Sequence, residues 1–391
     1  MNKNLKRKIC FITGSRAEYG LLRPLMAKVR ADETLCLQII ATTMHMSPEF
    51  GLTHKEIEND GFLINKKIET LLSSDTSVGI SKSMGLTMIS VSEALEDLRP
   101  DLVVLIGDRF ETFAAASSAL VSRLPIAHLY GGEITEGAFD DAMRHSITKM
   151  SHLHFTSTEV YRKRIIQLGE DPASIFNVGA IGIDNIKCIK LLKKNILEKE
   201  LSFKFGRKNL IVTYHPVTLE YSTSLSQFGA ILKALDGLKD TNLIFTKPNA
   251  DVDGRIIINM IDEYVSRNRY RAISATSLGQ LKYLSVLQFV DAVVGNSSSG
   301  IIEAPSFQIG TINIGDRQKG RVRAQSVIDC PPETKSIEKA ILRVYSEEFQ
   351  SMLKNTLSPF GDGTAAIKIK KILKKFFLKD ILKKKFNDID F

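Results

Sequence analysis

Short apolar runs recur along this chain, each closed by a glycine, a hydroxyl residue or a charge. Those at 8–13, 35–41, Leu102–Ile106, Ile126–Leu129, Leu153–Thr156 and 175–178 read as strands. Continuous apolar runs of this length, bounded by turn residues, are the pattern of strands buried on both faces of a parallel sheet. Helical spacing fills the intervals at 21–30, 79–98, 112–121 and 159–168, and Pro100 stops the second of these. A crossing is expected at 179–183, followed by a lysine-rich helix at 186–200. The alternation then resumes, with strands at 210–214, 242–246, 292–294 and 309–314. Strands alternating with helices predict a doubly wound parallel sheet, and 391 residues suit two such α/β domains.

Ligands of open parallel sheets sit beyond the carboxyl ends of the strands. Gly107-Asp108-Arg109 and Gly131-Gly132-Glu133 close two successive strands, and the preceding His128 belongs to the same edge. Asp140, Asp141, Arg144 and His145 follow. So many ionisable groups point to acid–base work on a polar substrate. The plainer reading has Asp108 and Arg109 capping a helix while Glu133 and Asp140 sit in water. The turn Gly14-Ser15-Arg16-Ala17-Glu18-Tyr19-Gly20 links a strand to a helix, a layout that favours an anion, and Arg16 offers a planar fork to phosphate oxygens. No G-x-G-x-x-G dinucleotide fingerprint is present.

The second half offers its own edge. Its strands run into His215-Pro216, into Lys247-Pro248-Asn249, into Gly295-Asn296-Ser297-Ser298-Ser299-Gly300 and into Gly315-Asp316-Arg317. Three hydroxyls and the N–H groups of a helix start can hold a diphosphate without a metal. Glu303, one turn on, suits two ribose hydroxyls. The ordinary alternative is a serine N-cap, but three serines between two glycines exceed what a cap requires. A lone histidine such as His215 is more often structural; its place at a strand end argues for the crevice.

Charge changes this picture little. The chain carries +9, of which 366–391 hold +6, leaving +3 for the other 365 residues. No nucleic-acid motif stands out. No apolar run is long enough to span a bilayer, and no signal-peptide core follows the basic start. Cys10, Cys36, Cys188 and Cys330 form no C-x-x-C, which fits reduced thiols in a cytoplasm. From Gly363 on, isoleucines, leucines and phenylalanines interleave with lysines. Two readings compete: a terminal helix packed on the body with its lysines in water, or a basic amphipathic segment making weak contact with an anionic membrane surface.

Taken together, G-S-R-A-E-Y-G, G-D-R-F-E, H-x-x-G-G-E, D-D-x-x-R-H-S-I-T-K, Y-H-P-V-T, P-N-A-D, G-N-S-S-S-G-I-I-E-A-P and N-I-G-D-R-Q-K-G-R resemble, in this order, the hydrolysing UDP-N-acetylglucosamine 2-epimerases, in particular the bacterial NeuC type. The resemblance runs from about residue 8 to about 323, and more loosely beyond. It implies a glycosyltransferase-B architecture, with two Rossmann-like domains facing a cleft and the terminal helix returning to the first. On that basis 1–181 with 363–391 form an acid–base domain and 182–362 a UDP-binding domain. It implies that UDP-N-acetylglucosamine and water become N-acetylmannosamine and UDP, through elimination of UDP and rehydration of a 2-acetamidoglucal, feeding sialic acid synthesis. It implies a homodimer; no metal-ligand spacing is visible in the sequence, and neither elimination nor hydration needs a redox cofactor.

By resemblance Arg16, Asn249, Ser297, Ser298, Glu303 and Arg317 hold UDP, while Asp108, Asp140 and His215 fall on catalytic positions. With Glu133 added for proton transfer, Arg109, Asp141, Arg144, Ser299 and Gly300 complete the expected substrate contacts. One departure stands out: relatives with H-I-E-G-G-E carry a catalytic Glu where this chain has Tyr130. Either Glu133 or Asp141 takes over that role, or the assignment differs in this subgroup. Three rivals remain: the same chemistry on another UDP-sugar such as a diacetamido-trideoxyhexose, a UDP-sugar glycosyltransferase, or a sugar-nucleotide sensor without turnover.

Overall fold

The apolar runs become strands because each can be covered on both sides. In the computed structural model, residues 6–72, 76–135, 139–216, 223–248 and 254–389 are described, with the side chain of Cys188 left out. The strands are β1 (Arg7–Thr13), β2 (Leu35–Thr42), β3 (Lys66–Ile68), β4 (Leu102–Ile106), β5 (Ile126–Leu129), β6 (Leu153–Thr156), β7 (Ile175–Asn177), β8 (Lys208–Thr213), β9 (Thr241–Thr246), β10 (Ala272–Ala275), β11 (Ala292–Gly295), β12 (Gly310–Ile314) and β13 (Val327–Cys330). The chain divides into two compact units. The first comprises Met1–Glu133, Asp140–Asn185 and Phe360–Phe391; the second comprises Ile134–Phe139 and Ile186–Pro359.

In the first unit a parallel sheet runs β3-β2-β1-β4-β5-β6-β7. All five residues of β4 are buried, as its unbroken apolar run requires. The helix Phe110–Val121 packs on Cys10, Val103 and Leu105 through Ala115, Ala116 and Ala119, whose small side chains let backbone approach backbone. In the second unit the order is β10-β9-β8-β11-β12-β13, again all parallel. One face is covered by a cluster around Phe228, Ile257, Ile261 and Ile341, the other by one around Leu197, Phe205, Leu284 and Leu287. Both orders are Rossmann orders, with the reversal between β1 and β4 in one sheet and between β8 and β11 in the other.

At the second reversal β11 approaches β8 so closely that only glycine fits its last position. A Cβ on Gly295 would lie 2.0 Å from the Thr213 carbonyl oxygen, and its φ is +135°.

Three expectations need correction. The first helix starts at Arg16, not 21, because Ser15 and Glu18 form a capping box. The helix expected at 186–200 is two, Ile181–Cys188 and Lys194–Leu201; between them Ile189, Leu191 and Leu192 turn onto the second core. The terminal helix spans only Ala365–Lys375. Asp184 caps its start by accepting from the Ala365 and Ala366 N–H groups, and Lys370 and Lys374 bind Asp32. At its end Arg7 donates to the Leu373 and Phe376 carbonyls.

Beyond Lys375 the chain is not helical and returns to the body. Lys384 reaches buried Glu170 at 2.6 Å and donates to the Lys149 and Ser151 carbonyls. The Asn387 N–H donates to the Gly169 carbonyl. The helix expected from Gly363 on therefore stops at Lys375, and Lys370, Lys374 and Lys384 are engaged by the protein itself. Among the described residues no helix is long and apolar enough to cross a membrane.

Burial also sets an acid limit. It is the main cause that pushes the pKa of His45 to about 3, of His128 to about 3 and of His152 to about 4. An unfolded histidine titrates at about 6.5. Between there and pH 4 the unfolded chain binds more protons at these three sites, so their contribution to stability is lost as pH falls. Glu18 acts oppositely: with its pKa pushed up to about 7, its contribution is present below the ordinary carboxylate range and lost as pH rises through 7. Three groups outweigh one, and the urea midpoint should fall on acidification from pH 6.5 to 4.5; a midpoint that rises over that range would contradict the assignment. Separately, Gly295→Ala should cost at least about 2 kcal/mol in urea denaturation, since backbone and not a flexible side chain must yield; a change within error of wild type would show that β8 and β11 can part freely.

Candidate active site

In the first unit the ends of β1 and β4 form a charged edge. The Glu18 carboxylate turns back to accept from the N–H groups of Gly14, at 2.6 Å, and Ser15, at 3.1 Å. The anion-binding layout expected at this turn is thus already filled by an internal carboxylate, and the sequence signal for it was the S-x-x-E spacing. Glu111, in the first turn of the helix after β4, is 2% exposed and packs against Gly14. Arg109 binds it through Nε at 2.7 Å. Burial first, then the charge of Glu111, raises the pKa of Glu18; Arg109, the Gly14 N–H and Thr112 oppose the rise. Neither Glu18 nor Glu111 was singled out in the sequence. Arg16 opens the helix that carries Glu18 and is half-buried, with its pKa lowered by burial and partly restored by Glu56.

The next charge along the edge is Arg144. It lies on the helix Asp140–Met150, is 3% exposed, and pairs with Asp108. Asp141, one turn before, is 3.9 Å from its guanidinium and also 3.4 Å from His145. Burial would lower the Arg144 pKa, but Asp108, Glu133 and Asp141 outweigh it and raise it. One buried guanidinium thus gathers three of the carboxylates that the sequence singled out. Asp140 and Asp141 open the helix, where its dipole favours negative charge. Glu133 is 3% exposed and accepts from Ser157 at 2.9 Å, an unforeseen partner from the loop after β6.

Two residues behave differently from expectation. His128 is not at the reactive edge: it is fully buried and bonded to the Gly107 carbonyl and the Thr148 hydroxyl. Only the ring N–H can donate to a carbonyl, so Nε2 carries the proton and the neutral ring fixes the Gly107 turn before Asp108. Tyr130 sits at φ +66°, in the left-handed region, and its hydroxyl accepts from the Gly182 N–H. The side chain at the position of the relatives' Glu is therefore directed to a helix start. Of the two carboxylates named for that role, Glu133 follows three residues on and Asp141 lies in the first turn of the helix Asp140–Met150.

In the second unit His215 follows β8 and the serine loop follows β11. Ser297 caps the helix Ser298–Ile302 by accepting from the Ser299 N–H, and the Ser299 hydroxyl bonds to Tyr283. Burial and the charge of Glu303 raise the Tyr283 pKa, keeping its phenol protonated. The helix is one short turn, so hydroxyls and individual N–H groups, more than a macrodipole, are what this loop offers an anion. Gly300 is buried, its carbonyl accepting from Thr311; Glu303 ends the helix half-buried. Arg317 Nη1 and Gln318 Nε2 both donate to the Asn296 carbonyl, at 3.1 and 2.9 Å. Asn296 and Gln318 lie inside motifs that the sequence offered but had no role assigned there, and Tyr283 lies outside them. Asn249 lies outside the described residues. Among the described residues no group of three or more His, Cys, Asp or Glu side chains could hold a metal ion.

These features can be set beside known proteins. The family model for UDP-N-acetylglucosamine 2-epimerase matches residues 27–374. The chain is 47% identical, over 98% of its own length and all of the relative's, to a Campylobacter jejuni protein named GDP/UDP-N,N'-diacetylbacillosamine 2-epimerase (hydrolyzing). It is 38% identical, over 95% of its length and 94% of the relative's, to polysialic acid biosynthesis protein P7 of Escherichia coli. Its fold superimposes with a TM-score of 0.79, at 17% identity, on the UDP-GlcNAc 2-epimerase of Neisseria meningitidis solved with UDP-GlcNAc, covering 94% of this chain and all of that one. The two parallel-sheet units are those of the glycosyltransferase-B type, and the chain belongs to the UDP-N-acetylglucosamine 2-epimerase family.

Proposed function

We propose that this protein is a hydrolysing 2-epimerase that takes a UDP-linked 2-acetamido sugar and water to the free 2-epimeric sugar and UDP. The observation that carries this reading is the gathering of Asp108, Glu133 and Asp141 around buried Arg144 at the strand ends, in a chain of this family. The reaction needs proton transfer at one carbon, twice. First a carboxylate takes the C2 proton, the pair left behind forms the C1–C2 double bond, and the C1–oxygen bond breaks with UDP leaving. Then water adds its oxygen to C1, and a proton reaches C2 from the opposite face.

The C2 proton is weakly acidic, so its acceptor must be held against it with water excluded. Asp108, Glu133 and Asp140 are the proton-transfer candidates, with Arg109, Asp141 and Arg144 holding the sugar and the carboxylates in place. Charge builds on the leaving diphosphate as its bond breaks. In this reading Arg16, His215, Asn249, Ser297, Ser298, Ser299, Gly300 and Arg317 meet that charge, and Glu303 takes the ribose. The division of labour follows the chain, with 1–181 and 363–391 supplying proton transfer and 182–362 holding UDP. We place the reaction in the cytoplasm and expect a homodimer.

The sugar is most closely indicated by the full-length Campylobacter jejuni relative: a 2,4-diacetamido-trideoxyhexose on the nucleotide. A second reading has support of its own. The Escherichia coli relative is named for polysialic acid synthesis, which favours UDP-N-acetylglucosamine as substrate and N-acetylmannosamine as a sialic acid precursor.

Proton NMR in D₂O separates these readings. Incubation with the UDP-diacetamido sugar should release UDP and the free 2-epimer carrying deuterium at C2, faster than UDP-N-acetylglucosamine is consumed. Preference for the latter selects the second reading, and an absolute requirement for an acceptor alcohol would make the protein a glycosyltransferase. Asp108→Asn should lower turnover at least about 10²-fold if its carboxylate moves the proton; an unchanged turnover number removes Asp108 from the mechanism.

A further inference from the structure

β8 ends at Thr213, yet the main chain of His215 two residues later is still paired. Its N–H donates to the Asn296 side-chain oxygen at 2.7 Å, and its carbonyl accepts from the Asn296 side-chain nitrogen at 2.8 Å. Asn296 also holds the strand before it, its own N–H donating to the Thr213 carbonyl at 3.1 Å. The reason lies in Gly295. There β11 leaves the ladder at φ +135° to begin the serine loop, so no further peptide of β11 is available to pair with β8. A carboxamide presents an acceptor oxygen and a donor NH2 side by side, much as two neighbouring peptide groups do, and Asn296 supplies it.

The clamp is itself anchored. Asn296 is fully buried, and its main-chain carbonyl is gripped by Arg317 and Gln318 from the loop after β12. Three loop segments after β8, β11 and β12 thus meet at one residue. The residue that follows His215 is Pro216, which has no N–H to offer a ladder. Without the carboxamide, the His215 main chain would lose the two hydrogen bonds that hold it to the start of the serine loop.

We propose that Asn296 is a positioning residue: it fixes the backbone of His215, and so the imidazole, at the spacing from the serine loop that the reaction uses. This rests on the epimerase reading for the role of His215, though the geometry of the clamp does not. Neither Asp nor Ser can replace it. Asp keeps the acceptor but loses the donor, and Ser is too short to bracket both groups.

The test is a double-mutant cycle in the full chain, with turnover of the UDP-sugar as one readout. Asn296→Ala and Asn296→Asp should each lower kcat at least about 10-fold, with KM changed less than about 3-fold. In a His215→Ala background either substitution should cost no further kcat. Loss of the same factor in both backgrounds, or kcat within 2-fold of wild type in both variants, overturns the proposal. Should Asn296→Ala fail to fold, Asn296→Asp alone decides, because it keeps the volume and the acceptor.

A second readout is independent of turnover: the His215 ring resonance in a histidine-labelled NMR spectrum, with UDP added. UDP should shift it in the wild type, and in Asn296→Asp the shift should be lost or split between conformers; an unchanged response overturns the proposal. If the wild type turns over no UDP-sugar at all, the epimerase reading fails, and this second readout still judges the clamp.

Discussion

Both sheets reverse their strand order once, and the chemistry of the chain is arranged by what that reversal does. Helices leaving the two strands at a reversal depart to opposite faces, so the carboxyl ends of those strands are left uncovered. Something other than a helix must then satisfy the last peptides. Between β1 and β4 the answer is charge: Glu18 turns back onto the Gly14 and Ser15 N–H groups, and Glu111 with Arg109 fills the space that glycine leaves. Between β8 and β11 the answer is an uncharged carboxamide, Asn296. One edge thereby becomes rich in carboxylates, and the other is held by amide hydrogen bonds.

Burying this much charge is a poor way to stabilise a protein. A guanidinium and carboxylates removed from water cost several kcal/mol each by desolvation, and pairing recovers that only with good geometry. Three carboxylates around Arg144 are more than one charge needs. Such surplus is characteristic of reactive sites, where groups are held ready for protons and substrate. The buried Glu170 shows the other solution. His154, Lys149 and Lys384 all bind it, and its pKa is held down to about 2 against burial.

The sequence disclosed the central strands because burial on both faces writes an unbroken apolar run, as in β4 and β5. Three of the four edge strands, β3, β10 and β13, escaped notice, each three or four residues long, while the fourth, β7, was read from its apolar run. At the site, the residues that end strands were legible, among them Asp108, Glu133 and His215. Those that act through packing were not. Glu111 and Asn296 stand in quoted motifs, but their roles depend on Glu18, Thr213 and His215, distant in sequence, as that of Tyr283 depends on Ser299. His128 was misleading for a related reason. A histidine in an apolar strand looks like an exposed reactive group until its two ring nitrogens are seen to be bound inside the sheet edge.

The return of the tail has a bearing on synthesis. The first unit is built from both ends of the chain, since Asp184 caps the helix Ala365–Lys375 and Glu170 waits for Lys384. On the ribosome, the unit whose residues emerge earliest is therefore the one that must stay incomplete longest. The unit encoded in the interior, ending at Pro359, has all its residues in hand sooner. Until the final lysines emerge, a buried carboxylate and the apolar flank of the first helix stand open, a window in which a nascent chain is most in need of protection from its neighbours.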